Sequence, residues 1–322
     1  MAHRPPPPRS YCKSPAKVIK FSRQVAAQAL PAFFSRFSRK DFTLQQLFPL
    51  LVLRIQFDAD YRAIASYVQD FECIQQWLEL SRTPHYSTLC RAAQRLAARF
   101  SVLLNQVIRM AIGSRFLIPG IRAAVDCSGF EDRHTSRYYA ARCGISPGKQ
   151  RYWIKLAVVC DTRTHLFVGA IALRGPGDEY GLWSPVLQQA AARVRIDVGL
   201  GDAGFDSEQN HVFARKKLGI RQTLIALNPR THGNKCPQTR FRKEMHLHPR
   251  PKTYAQRSHV ESAFSQHKRI LSSDLTARSE QTRIAEVLLR VLAHNILLLI
   301  LRRVATKLLN GRGNCGARFA SR

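Results

Sequence analysis

Three carboxylates stand out in a chain that holds 51 Lys and Arg against 21 acids: Asp126, Asp202 and Glu261. Asp126 ends a short apolar run, Ile-Arg-Ala-Ala-Val, and Asp202 ends another, Ile-Asp-Val-Gly-Leu-Gly. An acid at the carboxyl end of a buried strand stands at the sheet edge, where open α/β folds bind ligands. A turn or cap residue gives the same pattern when it occurs singly. Glu261 falls in a helical stretch over 254–272, where Thr253 and Gln256 fit a capping box. At the helical angle per residue, Tyr254, Arg257, Glu261 and Lys268 share about 60° of arc. Val260, Ala263, Phe264, Ile270 and Leu271 form the adjacent apolar stripe. A solvated face with an Arg257–Glu261 pair is the plain reading of that edge. With the two aspartates, the edge gains a second reading. Three converging carboxylates repel one another unless cations stand between them. Oxygen ligands suit Mg²⁺ or Mn²⁺. Two such ions, about 4 Å apart, activate a water or a 3′-hydroxyl and stabilise the leaving oxygen of a phosphodiester. Arg257 and Lys268 are placed to clamp flanking phosphates.

The bulk composition points to the same class of partner. The formal net charge is +30, and 45% of residues are hydrophobic, which describes a folded chain rather than a disordered one. A protein this basic repels itself unless a polyanion neutralises it, and neutralising phosphates releases condensed counterions. Nucleic acid is the usual polyanion, although a ribosome-associated protein or a coding bias toward Arg gives the same charge. The eight cysteines contain no C-x-x-C pair, so neither a disulfide framework nor a zinc knuckle is expected. The first residues, MAHRPPPPRS, contain no signal-peptide core. The clean apolar run at 296–301 is too short to span a bilayer. The expectation is a cytoplasmic protein with no membrane partner.

The elements that must position these residues divide the chain in two. After a Pro- and Arg-rich tail at 1–16, expected to be disordered, residues 17–117 read as a helical domain. Apolar residues recur there at helical spacing over 44–55, 61–68, 73–80 and 89–110. A break at 81–84 precedes Ser87, placed to cap the next helix. Short helices around a break suggest a helix-turn-helix-like unit. Arg91, Arg95 and Arg99 recur at i, i+4, i+8 and present one DNA-contacting face, although an ordinary solvated face has the same pattern. Residues 118–305 change character. Strands are expected at 121–125, 152–160, 166–173, 196–200 and 222–227, with a hairpin turn at Asp161–Thr164. Helices are expected at 180–194 and 207–218. An early hairpin followed by alternating strands and helices gives a mixed sheet of ribonuclease H-like order, flanked by helices. Residues 228–252, with seven Lys and Arg and a single acid, read as a basic connecting loop. A strongly apolar helix at 284–304 should pack on the sheet, followed by a basic tail at 306–322.

The spacing Y-x(2)-R-x(3)-E-x(6)-K is met by Tyr254, Arg257, Glu261 and Lys268. It resembles the signature of a clan of bacterial insertion-sequence transposases of the DDE type. Gly201-Asp202-Ala-Gly-Phe-Asp-Ser resembles that clan's second motif, and Ala-Val-Asp126-Cys-Ser-Gly its first. The resemblance covers roughly residues 40–305. It implies a ribonuclease H-like catalytic domain, two divalent ions held by Asp126, Asp202 and Glu261, double-stranded DNA (terminal inverted repeats and target) as partner, and action as a homo-oligomer, a dimer on DNA. About 25 residues separate the last strand from the Glu261 helix, so the chain resembles the compact branch, which lacks the long β-rich insertion.

Other residues carry rival readings. Asp206 fits a helix start, Asp178 a turn or an auxiliary acid, and Asp161 a hairpin residue. Cys236, His246 and His248 fit a basic loop better than zinc, for want of a second cysteine at ligand spacing. Trp153 and Trp183 read as core, or as aromatics on which a base stacks. Two alternatives to a transposase remain at this level: a non-catalytic DNA-binding protein derived from one, and a ribonuclease H-like DNA nuclease.

Overall fold

The computed structural model describes residues 12–133, 153–175, 177–228, 236–247 and 252–312. Of the expected tails at 1–16 and 306–322, residues 1–11 and 313–322 lie outside the described residues, as does the candidate His248.

Six helices come first: α1 (Pro15–Ala29), α2 (Leu44–Gln56), α3 (Tyr61–Asp70), α4 (Glu72–Leu78), α5 (Tyr86–Ala97) and α6 (Phe100–Gly113). Helix α1 begins inside the stretch expected to be a disordered tail. Ser14 caps α1, Pro15 sits in its first turn, and Cys12 is buried, its carbonyl accepting from Gln56 Nε2 at 3.1 Å. The run at 89–110 is not one helix. It breaks after Ala97, and the two pieces meet at 77°. Helix α5 buries Leu89, Ala92, Ala93 and Leu96 and α6 buries Leu103, Leu104, Val107 and Ile108; the two stripes are in helical register, so spacing alone did not reveal the break. The cap of α5 is His85, whose Nδ1 accepts from Ser87 N; Ser87 itself lies inside the helix.

The sheet follows, with strands β1 (Ile121–Asp132), β2 (Ile154–Asp161), β3 (Phe167–Arg174), β4 (Ile196–Gly201) and β5 (Gln222–Ile225). Their spatial order is β3-β2-β1-β4-β5, with β1-β2 and β2-β3 antiparallel and β1-β4 and β4-β5 parallel. This is the expected mixed sheet flanked by helices, with helices preceding it. The β2-β3 turn forms as expected: the buried Asp161 carboxylate accepts from Thr164 N at 3.1 Å and Thr164 Oγ1 at 2.6 Å.

Helix α7 (Trp183–Ala191) leads into β4, and α8 (Glu208–Val212), continued by a π-turn over Phe213–Lys217, leads into β5. The basic loop expected at 228–252 contains a helix, α9 (Arg240–Leu247). Its Phe241, Arg242 and Met245 are buried, and Arg242 makes a two-pronged pair with Asp206 at 2.8 and 2.7 Å. Ion pairing of this kind gives no hydropathy period, so sequence spacing did not show it.

Helix α10 (Ser258–Leu271) ends in a turn and the short strand β6 (Asp274–Leu275), which pairs with β1. Residues Lys252–Arg257 form a 3-10 turn rather than the first turn of α10. The expected capping box is absent, because Gln256 Oε1 accepts instead from Thr162 Oγ1 at 3.3 Å. Helix α11 (Glu280–Arg312) is longer than expected and extends into the residues read as a tail. Residues 280–302 are long and apolar enough to cross a membrane, yet 83% of the qualifying window is buried inside the protein. Asn295 on α11 closes the outer edge of the sheet: its Nδ2 donates to Phe167 O at 2.8 Å, and its Oδ1 accepts from Phe167 N at 2.9 Å.

A column of rings fixes α10 against this frame. The His267 ring is fully buried 5.5 Å from Phe130 on β1, 5.8 Å from Phe167 on β3 and 5.5 Å from His294 on α11. His294 stacks on Phe167 at 4.3 Å, and its Nε2 donates to His165 O. Burial pushes His294 down to about 3 and His267 well below the usual imidazole value, so both are neutral packing elements at neutral pH.

Candidate active site

Asp126 does not end its strand. It lies in the middle of β1, opposite Val158 of β2, because the β1-β2 ladder runs on from Ala123 to Phe130. The reason for expecting it at a sheet edge still holds through the other neighbour. The β1-β4 register pairs Ala124 with Leu200. Two residues further along each strand lie Asp126 and Asp202, so the two acids are level. Here β4 has ended at Gly201 and β1 has lost its parallel partner. A cleft opens where one neighbouring strand stops and the other continues, and the two aspartates face it.

Local structure holds both acids in place. Asp202 Oδ1 accepts from Gly204 N at 2.9 Å and caps a 3-10 turn over Ala203–Phe205. Asp126 Oδ1 accepts from Cys127 N at 2.8 Å. Among the described residues neither second oxygen has a protein hydrogen bond. Gly201 brings β4 close to α7: a Cβ there would stand 2.6 Å from the buried Trp183 ring. Trp183 is therefore core, as expected, and it sets the height at which Asp202 leaves the sheet.

The electrostatics show that the acids are close enough to interact. Burial pushes Asp126 up to about 6, and the charges of Asp202 and Glu179 add to the rise; the Cys127 N–H and Arg257 oppose it. A testable consequence follows for the protein in EDTA. A carboxyl whose folded value is raised is comfortable when protonated, so its stabilising effect is present below about pH 4 and lost as pH rises through 6. Asp126→Asn should therefore stabilise the metal-free protein at pH 7.5, by on the order of 2 kcal/mol, and give no gain near pH 4. Denaturation midpoints at the two pH values measure it; an equal shift at both would remove Asp126 ionisation as the cause.

Glu179 is the acid that sequence reasoning missed. Asp178, the candidate beside it, is exposed, whereas Glu179 turns towards the cleft. A Cβ on Gly204 would stand 3.1 Å from Asp202 Oδ1 and 3.3 Å from Glu179 Oε2, so the two carboxylates flank one point. Glu179 Oε1 lies 3.5 Å from Nζ of the buried Lys155, which also donates to the Gly177 carbonyl and lies over the Trp153 ring. A lysine among the apolar residues of β2 was the available signal, since such a residue needs an acid nearby.

The helix side is assembled differently from the expectation of one shared face. Arg257 ends the 3-10 turn and pairs with Glu261 at 2.7 Å; the Glu261 side chain is 53% exposed. Glu261 and the field of Asp126 both favour the Arg257 charge, outweighing its burial. Arg257 is thus the electrostatic link between Glu261 and the aspartates. Tyr254 lies off the α10 spiral, and its hydroxyl donates to Gly201 O at 3.3 Å, beside Asp202. Lys268 Nζ donates to Gly129 O at 2.6 Å and lies 4.9 Å from the Phe130 ring centre. As placed, Tyr254 braces the end of β4 and Lys268 braces β1. Arg91, Arg95 and Arg99 are exposed on the helical region, away from the cleft, and Arg99 lies beyond the end of α5 as the N-cap of α6.

Among the described residues no three acid, histidine or cysteine side chains stand close enough to hold a metal ion as placed. The donor set nonetheless fits a hard divalent cation. Asp126 and Asp202 each keep one oxygen fixed by a backbone N–H and one without a protein hydrogen bond, and their charges repel across the cleft. Asp206 does not contribute, being committed to Arg242 and Asn228 N.

The model of the family described as the transposase DDE domain matches residues 122–296. No curated protein matches the chain. The matched span runs from the first residues of β1 to the Asn295 edge clamp and takes in both aspartates, Glu179 and Glu261. With more than half of the sequence aligned over the whole sheet, the chain belongs to the transposase DDE domain family.

Proposed function

We propose that the chain is a transposase that cleaves DNA phosphodiesters at the inverted-repeat ends of its element and joins the freed 3′-hydroxyl to target DNA. Asp126, Asp202 and Glu261 act as the metal-binding carboxylates, with Mg²⁺ or Mn²⁺, in two ions, as cofactor. The observation that carries this reading is the level pairing of Asp126 and Asp202 on adjacent parallel strands, with Asp126 held up to about 6. When bound, divalent ions supply Lewis-acid activation of the attacking oxygen and charge neutralisation at the phosphate.

The chain's own groups do the rest. Backbone N–H groups of Cys127 and Gly204 orient the two aspartates so that each presents one oxygen. Lys155 steadies Glu179 at the cleft wall and offsets its charge. Glu261 reaches the aspartates only by exchanging its Arg257 partner, which frees the guanidinium for a DNA phosphate. The site then closes as DNA arrives. The protein acts as a dimer on DNA in this reading.

The test is an incubation with labelled DNA carrying the element's ends, an unrelated plasmid and Mg²⁺ or Mn²⁺. Joined products are the expected outcome. Cut ends that are never joined would point to a nuclease, and salt-sensitive binding with no metal-dependent cutting would point to a non-catalytic descendant.

A further inference from the structure

The helical region carries a groove of about 1090 Å³ between residues 31–43 and helix α5. Arg39, Arg82, Arg91 and Arg95 line it, together with Phe34 and Phe37. Asp41 is the single acid among the lining residues, and it is bound to Arg82 at 2.5 Å. Cations lie against the rings: the Arg95 guanidinium is 5.3 Å from the Phe34 ring centre, that of Arg82 5.5 Å from Phe42, and that of Arg36, outside the lining, 4.6 Å from Phe37.

Phe37 is 83% exposed, the most exposed large apolar side chain among the described residues. A single exposed phenylalanine means little. This one is presented by a segment whose ends are pinned. Leu44 N donates to Ala32 O at 2.8 Å, and a turn at the tip joins Ser38 N to Ser35 O at 3.1 Å, with Ser35 N donating to Ser38 Oγ.

We propose that this groove holds an unpaired stretch of DNA strand, with phosphates on Arg39, Arg91 and Arg95 and a base stacked on Phe37. The charge selects a polyanion. The adjacent rings select one whose flat bases are free, because stacked duplex bases offer no face to a side chain outside the helix, whereas single strands bind along basic grooves by stacking on aromatics. Of the three arginines expected on one DNA-contacting helix face, Arg91 and Arg95 line the groove and Arg99 does not. The proposal rests on the reading that the chain acts on DNA and does not depend on the carboxylates.

The experiment is fluorescence anisotropy on the full chain in EDTA, with a 20-nucleotide oligo(dT) strand and a blunt duplex of arbitrary sequence as probes. Phe37→Ala should weaken binding of the strand about tenfold, the effect of losing one stacked base, and leave duplex binding unchanged. Phe37→Trp should retain it. Arg91→Ala with Arg95→Ala should lower the slope of log affinity against log salt for the strand by about 1.4. Arg109→Ala, an exposed site on α6 outside the groove, gives the baseline for a generic loss of charge. Equal binding of the strand by Phe37→Ala and the parent, or equal losses for strand and duplex, would overturn the proposal. Self-association abolished by Phe37→Ala would assign the patch to a second copy instead. Failure of the parent to bind either probe at low salt would sink the DNA reading itself.

Discussion

Asp202→Asn is expected to slow DNA strand cleavage by at least about 10³-fold, equivalent to roughly 4 kcal/mol of transition-state stabilisation, with fold and DNA affinity retained. The substitution is close to isosteric. The Asn carbonyl can still accept from Gly204 N, so the 3-10 turn after β4 survives. What disappears is one of the two charges that face each other at the end of β4, and with it one of the three proposed metal-binding carboxylates, a loss worth several kcal/mol in metal-assisted phosphoryl transfer. Burial alone keeps Asp126 raised, and loss of the Asp202 charge should lower it only modestly from about 6. A Mg²⁺-induced rise in melting temperature at pH 7.5 should accordingly shrink in Asp202→Asn and in Asp126→Asn. Glu261→Gln should lose cleavage to a similar degree while keeping more of the metal-induced stabilisation, because Glu261 is bound to Arg257 when no DNA is present. Asp197→Asn, at the start of β4, serves as the control. Single-turnover cleavage at saturating protein is the measurement. A folded Asp202→Asn variant that cuts as fast as the parent would remove Asp202 from the site.

Glu286→Ala is expected to destabilise the protein by about 3–5 kcal/mol, the usual cost of leaving buried charge without its partner. Glu286 on α11 is 3% exposed. It accepts from Arg290 at 2.8 Å, from Ala277 N at 2.9 Å and from Thr276 N at 3.2 Å, and lies 3.7 Å from Arg54 on α2. Burial holds Arg290 below its usual value even with Glu286 beside it. The carboxylate therefore only partly offsets desolvation, and removing it strands two guanidiniums that are 5% and 2% exposed. Arg290 also donates to Ser272 O and Asp274 O, in the turn that ends α10. The cluster thus ties the helical region, α11 and the end of the Glu261 helix together. Glu286→Gln keeps the volume and an acceptor and should recover part of the loss. Urea unfolding at pH 7.5 measures both; a change within about 0.5 kcal/mol for Glu286→Ala would show that the cluster is hydrated.

Much of the architecture was legible in the sequence. Strand and helix order along 121–227 follows from short apolar runs alternating with helical periodicity, and every one of those strands is present, although β1 runs on to Asp132 instead of ending before Asp126. The Asp161 turn was read correctly because it depends on neighbours close in sequence, and Trp183 was read as core from its apolar helix although the residues it packs against, Gly201 and Phe205, are distant. Periodicity failed where the stabilising contacts are long-range or polar. Helix α9 is held by an Arg242–Asp206 pair across 36 residues, and the 3-10 turn at Lys252–Arg257 by a Gln256–Thr162 bond across 94. Neither leaves a hydrophobic signal.

The candidate site divides in the same way. The sequence by itself determined which acids were worth watching, since Asp126, Asp202 and Glu261 occur in recognisable motifs in a chain poor in acids. It also determined the Arg257–Glu261 pair, because i,i+4 geometry is local to a helix. Only the tertiary structure decided that Asp126 lies within a strand, level with Asp202, since strand register depends on which strands become neighbours. It alone brought Glu179 and Lys155 to the cleft, and gave Tyr254 and Lys268 backbone partners on β4 and β1. Local spacing sets which side chains share a face. The packing of faces against each other sets what those side chains meet, and no spacing rule within one element contains that information.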